Sequence, residues 1–302
     1  MIWQRAIVVA LGAILVGGAP ALAGPFFFST GLPDGRMATA SRPGSAGQVE
    51  IESADDFVLT SPTVLNSATF TGLLPTGAAL SDVVDVRVEI YRVFPNDSDV
   101  GRTSGPPKFS TPQVPTRVNS PSDVELEDRS ASAHDLTFDT RIVNPSFTAA
   151  NSVLNGINPS PGFHTTGEGP VTGQEVQFNV AFSTPFSLPA DHYFFVPQVE
   201  LSDSGNFFWL SVPRPIASPG TPFPPGFTDL QEWIRNENLA PDWLRVGTDI
   251  VGVGADGTPA PTFNAAFSLD GQTVPEPGSL TLWGLGLAGF VAYGWRKRNS
   301  AV

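Results

Sequence analysis

The sequence predicts an all-β body, an antiparallel β-sandwich or jelly roll with one short helix, carried between an export signal and a C-terminal transmembrane helix. Three observations carry that prediction. Several stretches alternate apolar and polar residues with period two, as half-buried strands do. The 302 residues include 30 Pro and 30 Gly, too many helix breakers for an all-helical chain. Both ends are apolar and hold no Asp or Glu before Asp34 or after Glu276.

The N-terminal element comes first. Arg5 precedes the apolar run Ala6–Val16, followed by Gly-Gly-Ala-Pro and the small-residue site Ala21-Leu22-Ala23. That order is a tripartite secretory signal, with cleavage expected after Ala23. A membrane-spanning anchor needs a longer apolar core of about 17–25 residues.

The body follows, over residues 24–273. Val84, Val86, Val88 and Ile90 alternate with Asp85, Arg87, Glu89 and Tyr91. Val176, Phe178, Val180 and Phe182 alternate with Gln177, Asn179 and Ala181, and Phe263, Ala265, Phe267 and Leu269 with Asn264, Ala266 and Ser268. Less regular strands are expected at 48–51, 56–60, 64–72, 136–140, 193–200, 207–212 and 244–250. The pattern of short strands between Pro/Gly/Asn/Asp clusters suits a sandwich or jelly roll. The helix is expected over Thr228–Asn238, where Thr228 and Gln231 have capping-box spacing and Leu230, Trp233 and Ile234 make an apolar face. Two Pro-rich stretches, Pro95–Pro121 and Pro213–Pro225, read as long surface excursions. Trp209 and Trp243 stand in apolar contexts that place them in the core. No internal repeat or composition shift marks a second domain.

The last element is Ser279–Trp295, free of charge and followed at once by Arg296, Lys297 and Arg298. At ~1.5 Å per residue a helix there spans about 25 Å, enough for a thin bilayer. Trp283, Tyr293 and Trp295 suit the interface, and the basic stop keeps the end in the cytoplasm with the body outside. Gly284, Gly286 and Gly289 fit a dinucleotide fingerprint by spacing, but no strand precedes them and no acidic residue follows. Gly284, Ala288 and Ala292 instead offer a small-residue face for helix packing.

Between body and helix stands Val274-Pro275-Glu276-Pro277-Gly278. Pro-Glu-Pro, a Gly-rich apolar run and a basic end, in that order over residues 274–302, resemble the PEP-CTERM sorting signal. The resemblance implies that an exosortase in the inner membrane of a Gram-negative bacterium processes the chain, with Pro275, Glu276 and Pro277 as the recognition motif. It also implies a surface or extracellular protein of the kind linked to exopolysaccharide and biofilm matrix. The two prolines preset an extended segment with few hydrogen bonds, a form that a processing enzyme can grip. Ala54-Asp55-Asp56-Phe57, Leu188-Pro189-Ala190 and Phe267-Ser268-Leu269-Asp270-Gly271 resemble, more loosely, the β-sandwich ectodomains of PEP-CTERM proteins.

Charge and composition narrow the chemistry. Arg5 and Arg296–Arg298 lie in the ends, so the other 12 basic residues face 29 acidic ones between them. Such a surface repels nucleic acid. With no Cys, disulfides, thiol nucleophiles and Cys-type metal sites are excluded. His134, His164 and His192 have no metal-pair spacing, and no G-x-S-x-G elbow occurs. No catalytic residues are expected, and no cofactor, with one exception to weigh. Asp97 and Asp99, in Asp97-Ser98-Asp99-Val100-Gly101, crowd oxygen ligands suited to a structural Ca²⁺, although an EF-hand's remaining ligands are missing. Asp55-Asp56 and Ser202–Asn206 read as solvated acidic turns. The expected role is a non-catalytic structural or binding module, with extracellular polysaccharide as partner. Its rivals are a secreted polysaccharide hydrolase with the same tail and a Ca²⁺-dependent adhesin.

Overall fold

A computed structural model describes residues 23–45, 47–98, 114, 117–158, 163–274, 286 and 289. Among them lie β1 (Pro25–Ser29), β2 (Met37–Ala40), β3 (Ile51–Leu59), β4 (Thr63–Pro75), β5 (Val83–Arg92), β6 (Glu127–Ser130), β7 (Leu136–Ala149) and β8 (Asn151–Val153). They continue as β9 (Val171–Leu188), β10 (Asp191–Leu201), β11 (Phe208–Val212), β12 (Trp233–Asn236), β13 (Leu244–Arg245), β14 (Asn264–Ala265) and β15 (Phe267–Thr273). Gly24–Val274 forms one compact unit.

The strands make two sheets. In the first, the order β1-β15-β4-β11-β2-β8 is extended by β9 on β4, β7 on β9 and β14 on β11. The second has the order β13-β12-β3-β10-β5-β6. Their pairs are antiparallel except β2 with β8. Phe side chains join the two sheets into one core. Phe195 of β10 stacks on Phe267 of β15 at 5.0 Å and meets Phe70 of β4 at 6.4 Å. Phe28 of β1 meets Phe57 of β3 at 6.4 Å. Each fully buried Phe contributes about 1.5–3 kcal/mol of transfer free energy, as does each of the Val, Leu and Ile side chains packed with it. Trp209 is wholly buried there, its indole N–H donating to the Ala266 carbonyl at 2.8 Å.

The alternating stretches fall on β5, β9 and β14–β15, except that Val84 is exposed and Phe263 and Ala266 lie outside the strands. On β9, Val176, Phe178, Val180 and Phe182 are buried while Ala181 is exposed. The second sheet departs from a half-buried pattern. All nine residues of β3 are buried, and so are Asp85, Glu89 and Tyr91 on β5. Part of the reason is a cover: Leu230 and Trp243 pack, with Trp233 of β12, against Ala54, Tyr91, Phe194 and Val196 on the outer face of that sheet, while Asp85 is held by Ser132.

Four local expectations fail. The strand expected at 48–51 is absent, because Gln48, Val49 and Glu50 lie outside any strand and β3 begins at Ile51. Thr228–Asn238 holds no helix; Trp233–Asn236 is β12, paired with β3 in the register Trp233↔Ala54 and Arg235↔Glu52. Trp233 and Ile234, taken together for a helix face, point to opposite sides of the sheet, Trp233 to the outer cover and Ile234 to an inner cluster. Sheet pairing overrides the local helical spacing. The strand expected at 244–250 ends at Arg245, because Val246–Val251 closes into a wide turn with Gly252 N–H donating to the Gly247 carbonyl. Asp55-Asp56 is no solvated turn: both residues are inside β3 and at most 1% exposed.

Ser202–Asn206 does turn, with Gly205 N–H donating to Asp203 Oδ1 at 2.9 Å. The signal segment before Ala23 and the run 279–295, apart from Gly286 and Gly289, lie outside the described residues. Among the described residues no helix is long and apolar enough to cross a membrane.

Candidate functional site

The body closes where the Pro-Glu-Pro segment begins. β15 is threaded between β1 and β4, with Thr273 opposite Thr63 and Gln272 opposite Pro25. Thr273 N–H donates to the Gly24 carbonyl at 2.8 Å, and Gly24 N–H donates to Thr273 Oγ1 at 2.9 Å. Val274 N–H donates to the Pro62 carbonyl at 2.7 Å. The ladder therefore runs to within one residue of Pro275 and leaves no spacer. It also fixes Gly24, the residue after Ala23, beside the exit of the tail. This closure was invisible in the sequence, because the partners are 249 positions apart.

Of the residues singled out in the sequence, Pro275, Glu276, Pro277, Arg296, Lys297, Arg298, Ala21 and Asp99 lie outside the described residues. Ala23 is exposed. Asp97 sits in a left-handed turn (φ 55°) with its carboxylate 3.3 Å from Arg92 Nε. Among the described residues no three His, Asp or Glu side chains are grouped to hold a metal. The histidines are dispersed: His134 is in an exposed turn, His164 Nδ1 lies 3.1 Å from the Asp249 carbonyl, and His192 faces Asp56.

Long-range polar contacts that sequence spacing does not reveal fill the body. On the outer face of the second sheet Arg235 pairs with Glu52 through Nε and through Nη2, the latter at 2.9 Å, and also reaches Tyr91 Oη at 2.8 Å. Its guanidinium lies 4.3 Å from the Trp243 ring. Tyr91 donates to Glu52 at 2.7 Å, and burial pushes its phenol far up from the usual range, as it does the Glu89 carboxyl. Nearby, Asp56 Oδ2 accepts from Leu230 N–H at 3.2 Å and lies 2.6 Å from His192 Nε2. Burial raises the Asp56 carboxyl to about 6, against the lowering effect of His192.

On the inner face Asp55 Oδ2 accepts from Ala265 N–H at 2.8 Å, and Glu232 accepts from Thr39 Oγ1 at 2.5 Å. Burial drives Asp55 well above the usual carboxylate range and Glu232 up to about 8. These groups tie elements together. No Ser, Thr or Lys nucleophile is hydrogen-bonded to the His192–Asp56 pair among the described residues.

The family model of the PEP-CTERM protein-sorting motif matches residues 273–298. The match starts on Thr273, the last residue of β15. The chain thus carries a PEP-CTERM sorting motif, which indicates a protein exported and sorted by an exosortase to the cell surface. No curated protein and no solved structure matches the chain.

Proposed function

We propose that the chain is a surface protein whose body, a β-sandwich, is a non-catalytic structural or binding module of the extracellular polysaccharide matrix. The signal segment exports it, the apolar run 279–295 holds it in the inner membrane with the body outside, and an exosortase acts at Pro275–Pro277. The observation that carries this reading is the junction at Thr273. A body closed by its own ladder up to the residue where the sorting motif begins is a self-contained cargo, handed over whole. The two sheets sharing one aromatic core support the sandwich assignment. The dispersed histidines and the largely structural partners of the buried acids support a body without catalysis. The Asp97 carboxylate, held beside Arg92, supports a body that needs no Ca²⁺.

The test is expression of the full chain in a Gram-negative host with and without an exosortase, followed by fractionation and intact mass of the mature C-terminus. The expected product is at the surface and has lost Arg296–Val302 only when the exosortase is present. A full-length chain free in the cytosol overturns the reading. Turnover of a polysaccharide by the purified protein would favour a hydrolase, and a melting temperature lowered by a chelator would favour a Ca²⁺-dependent adhesin.

A further inference from the structure

Three buried tryptophans stand in the body, and they are not alike. Trp209 donates its indole N–H to the Ala266 carbonyl, and Trp243 donates to the Ser122 carbonyl at 3.1 Å. Trp233, only 1% exposed, has no partner for Nε1 among the described residues. It also differs in place: Trp233 lines a cavity of about 290 Å³ on the cover of the second sheet. Arg214 lines the same cavity and carries a second buried N–H without a partner among the described residues, at Nη1. Leaving a buried donor unmade costs about 1–3 kcal/mol, and such groups are rare unless something outside the protein satisfies them. Two on residues that line one cavity call for acceptor oxygens.

The charges lining the cavity are already balanced. Arg214 is held by the Asp229 carbonyl and lies 3.6 Å from its carboxylate, and Asp229 also takes both contacts of the Asn264 amide. Arg245 forms a fork with Asp249 at 2.7 and 2.9 Å, its guanidinium 5.8 Å from the Trp233 ring. Gln231 uses its carbonyl to accept from Thr248 Oγ1 at 2.9 Å, which leaves its amide N–H₂ as a further donor. Asn119 and the Thr228 hydroxyl complete the polar lining, beside apolar Leu230. A ligand that matches must bring oxygens but no net charge, and the acidity of the whole chain, −13, disfavours an anion. The volume is at the small end of ligand pockets, which run to ~300–1,000 Å³.

We propose that this cavity, between Arg214 and Trp233, binds one uncharged hydroxylated sugar residue, its oxygens accepting from the Trp233 indole and the Arg214 guanidinium. This rests on reading the body as a binding module and names what it takes.

The test uses the full chain purified in detergent and ligand-observed NMR titration with neutral hexose trisaccharides (cellotriose, maltotriose, mannotriose and galactotriose), with tri-galacturonate as the acidic arm. At least one neutral trisaccharide is expected to bind saturably below ~10 mM and more tightly than tri-galacturonate. Arg214→Gln and Trp233→Phe are each expected to weaken it about tenfold, the scale of one lost hydrogen bond. Arg214 is partly exposed at the rim, so its variant keeps the test valid should Trp233→Phe fail to fold. No saturable binding, tighter binding of tri-galacturonate, or an affinity unchanged in a folded Arg214→Gln protein overturns the site. Correct surface sorting alongside any of those results leaves the sorting reading standing, and mis-sorting with saturable neutral-sugar binding does the reverse.

Discussion

Gly24 and Thr273 close the body on each other: each backbone N–H donates to the other residue, Thr273 to the Gly24 carbonyl and Gly24 to Thr273 Oγ1, at 2.8 and 2.9 Å. First and last strands are thereby neighbours, and the residue on which the sorting motif begins, Thr273, is the last of β15. A zero-length tether has a mechanical consequence. Four residues, 275–278, separate Val274 from the apolar run, a reach of at most about 14 Å when extended. On the proposed reading, an enzyme acting on Pro275–Pro277 would act on residues that directly follow the folded ladder in the chain.

Lengthening that tether is expected to speed processing. Eight Gly/Ser residues inserted between Val274 and Pro275 leave the sheet untouched and give the motif room. Thr273→Val loosens the same end by removing the side-chain contacts to Gly24. Pulse-chase measurement of the processed form should show both variants maturing faster than wild type, the insertion more so. Equal rates in all three would show that the ladder does not restrain the motif.

Stability is expected to fall as pH rises from about 4 to 8. Glu232 is raised by burial to about 8, with Thr39 opposing and Asp34 adding to the shift. The folded body therefore keeps a proton that the unfolded chain, with its carboxyl near the ordinary value of about 4.3, has released. The stabilisation is whole below that lower value and is lost as pH climbs through the upper one. Asp55 and Asp56 act in the same direction. Glu232→Gln keeps an acceptor for Thr39 and removes the buried charge. Its melting temperature at pH 8 should exceed that of wild type by about 5 °C, on the scale of ~2–4 °C per kcal/mol for a body of this size, with little difference at pH 4. Parallel pH profiles for the two proteins would refute this assignment.

How much of this was legible depends on the range of each interaction. Val176–Phe182 announced a strand because its period is local, and the Pro-Glu-Pro tail was legible because all its parts are contiguous. β2 and β8 carry too few residues to show a period. β12 was misread because Leu230, Trp233 and Ile234 have helical spacing, while its partner Ala54 is far upstream. The buried pair of Arg235 and Glu52 spans 183 positions, so no window could have shown that the outer face of the second sheet is covered. The cavity between Arg214 and Trp233 is a property of packing alone.

Arg235 is expected to be the costliest single residue on that covered face. Arg235→Leu leaves Glu52 buried without its countercharge, a loss of about 3–5 kcal/mol. Arg235→Lys should recover less than half of this. One ammonium cannot reproduce the fork on Glu52 together with the contact to Tyr91 and the stack on Trp243. Denaturant midpoints separate the cases, and Glu52→Leu added to Arg235→Leu should restore much of the loss. A lysine variant as stable as wild type would mean that charge alone matters at this position.

Gly72 sets the contact between β4 and β11. A Cβ built there would lie 2.2 Å from the Phe207 ring and 2.4 Å from the Phe208 carbonyl oxygen. The ring belongs to the aromatic core, stacked edge-on against Phe70 and Phe178 at 5.7 and 5.3 Å, so it has no free direction in which to yield. The carbonyl is backbone. Gly72→Ala is therefore expected to push β11 off β4 and to destabilise by about 1–3 kcal/mol, toward the upper end, as overpacked cores do. Gly77→Ala is the control: its position has φ +88° and nothing within 4 Å, so it bears only the backbone strain of about 1–2 kcal/mol. Phe207→Leu combined with Gly72→Ala should relieve the ring contact but not the carbonyl, giving partial rescue at most. Thermal melts of the variants decide the matter, because full rescue would place the whole clash on the ring and none on the strand.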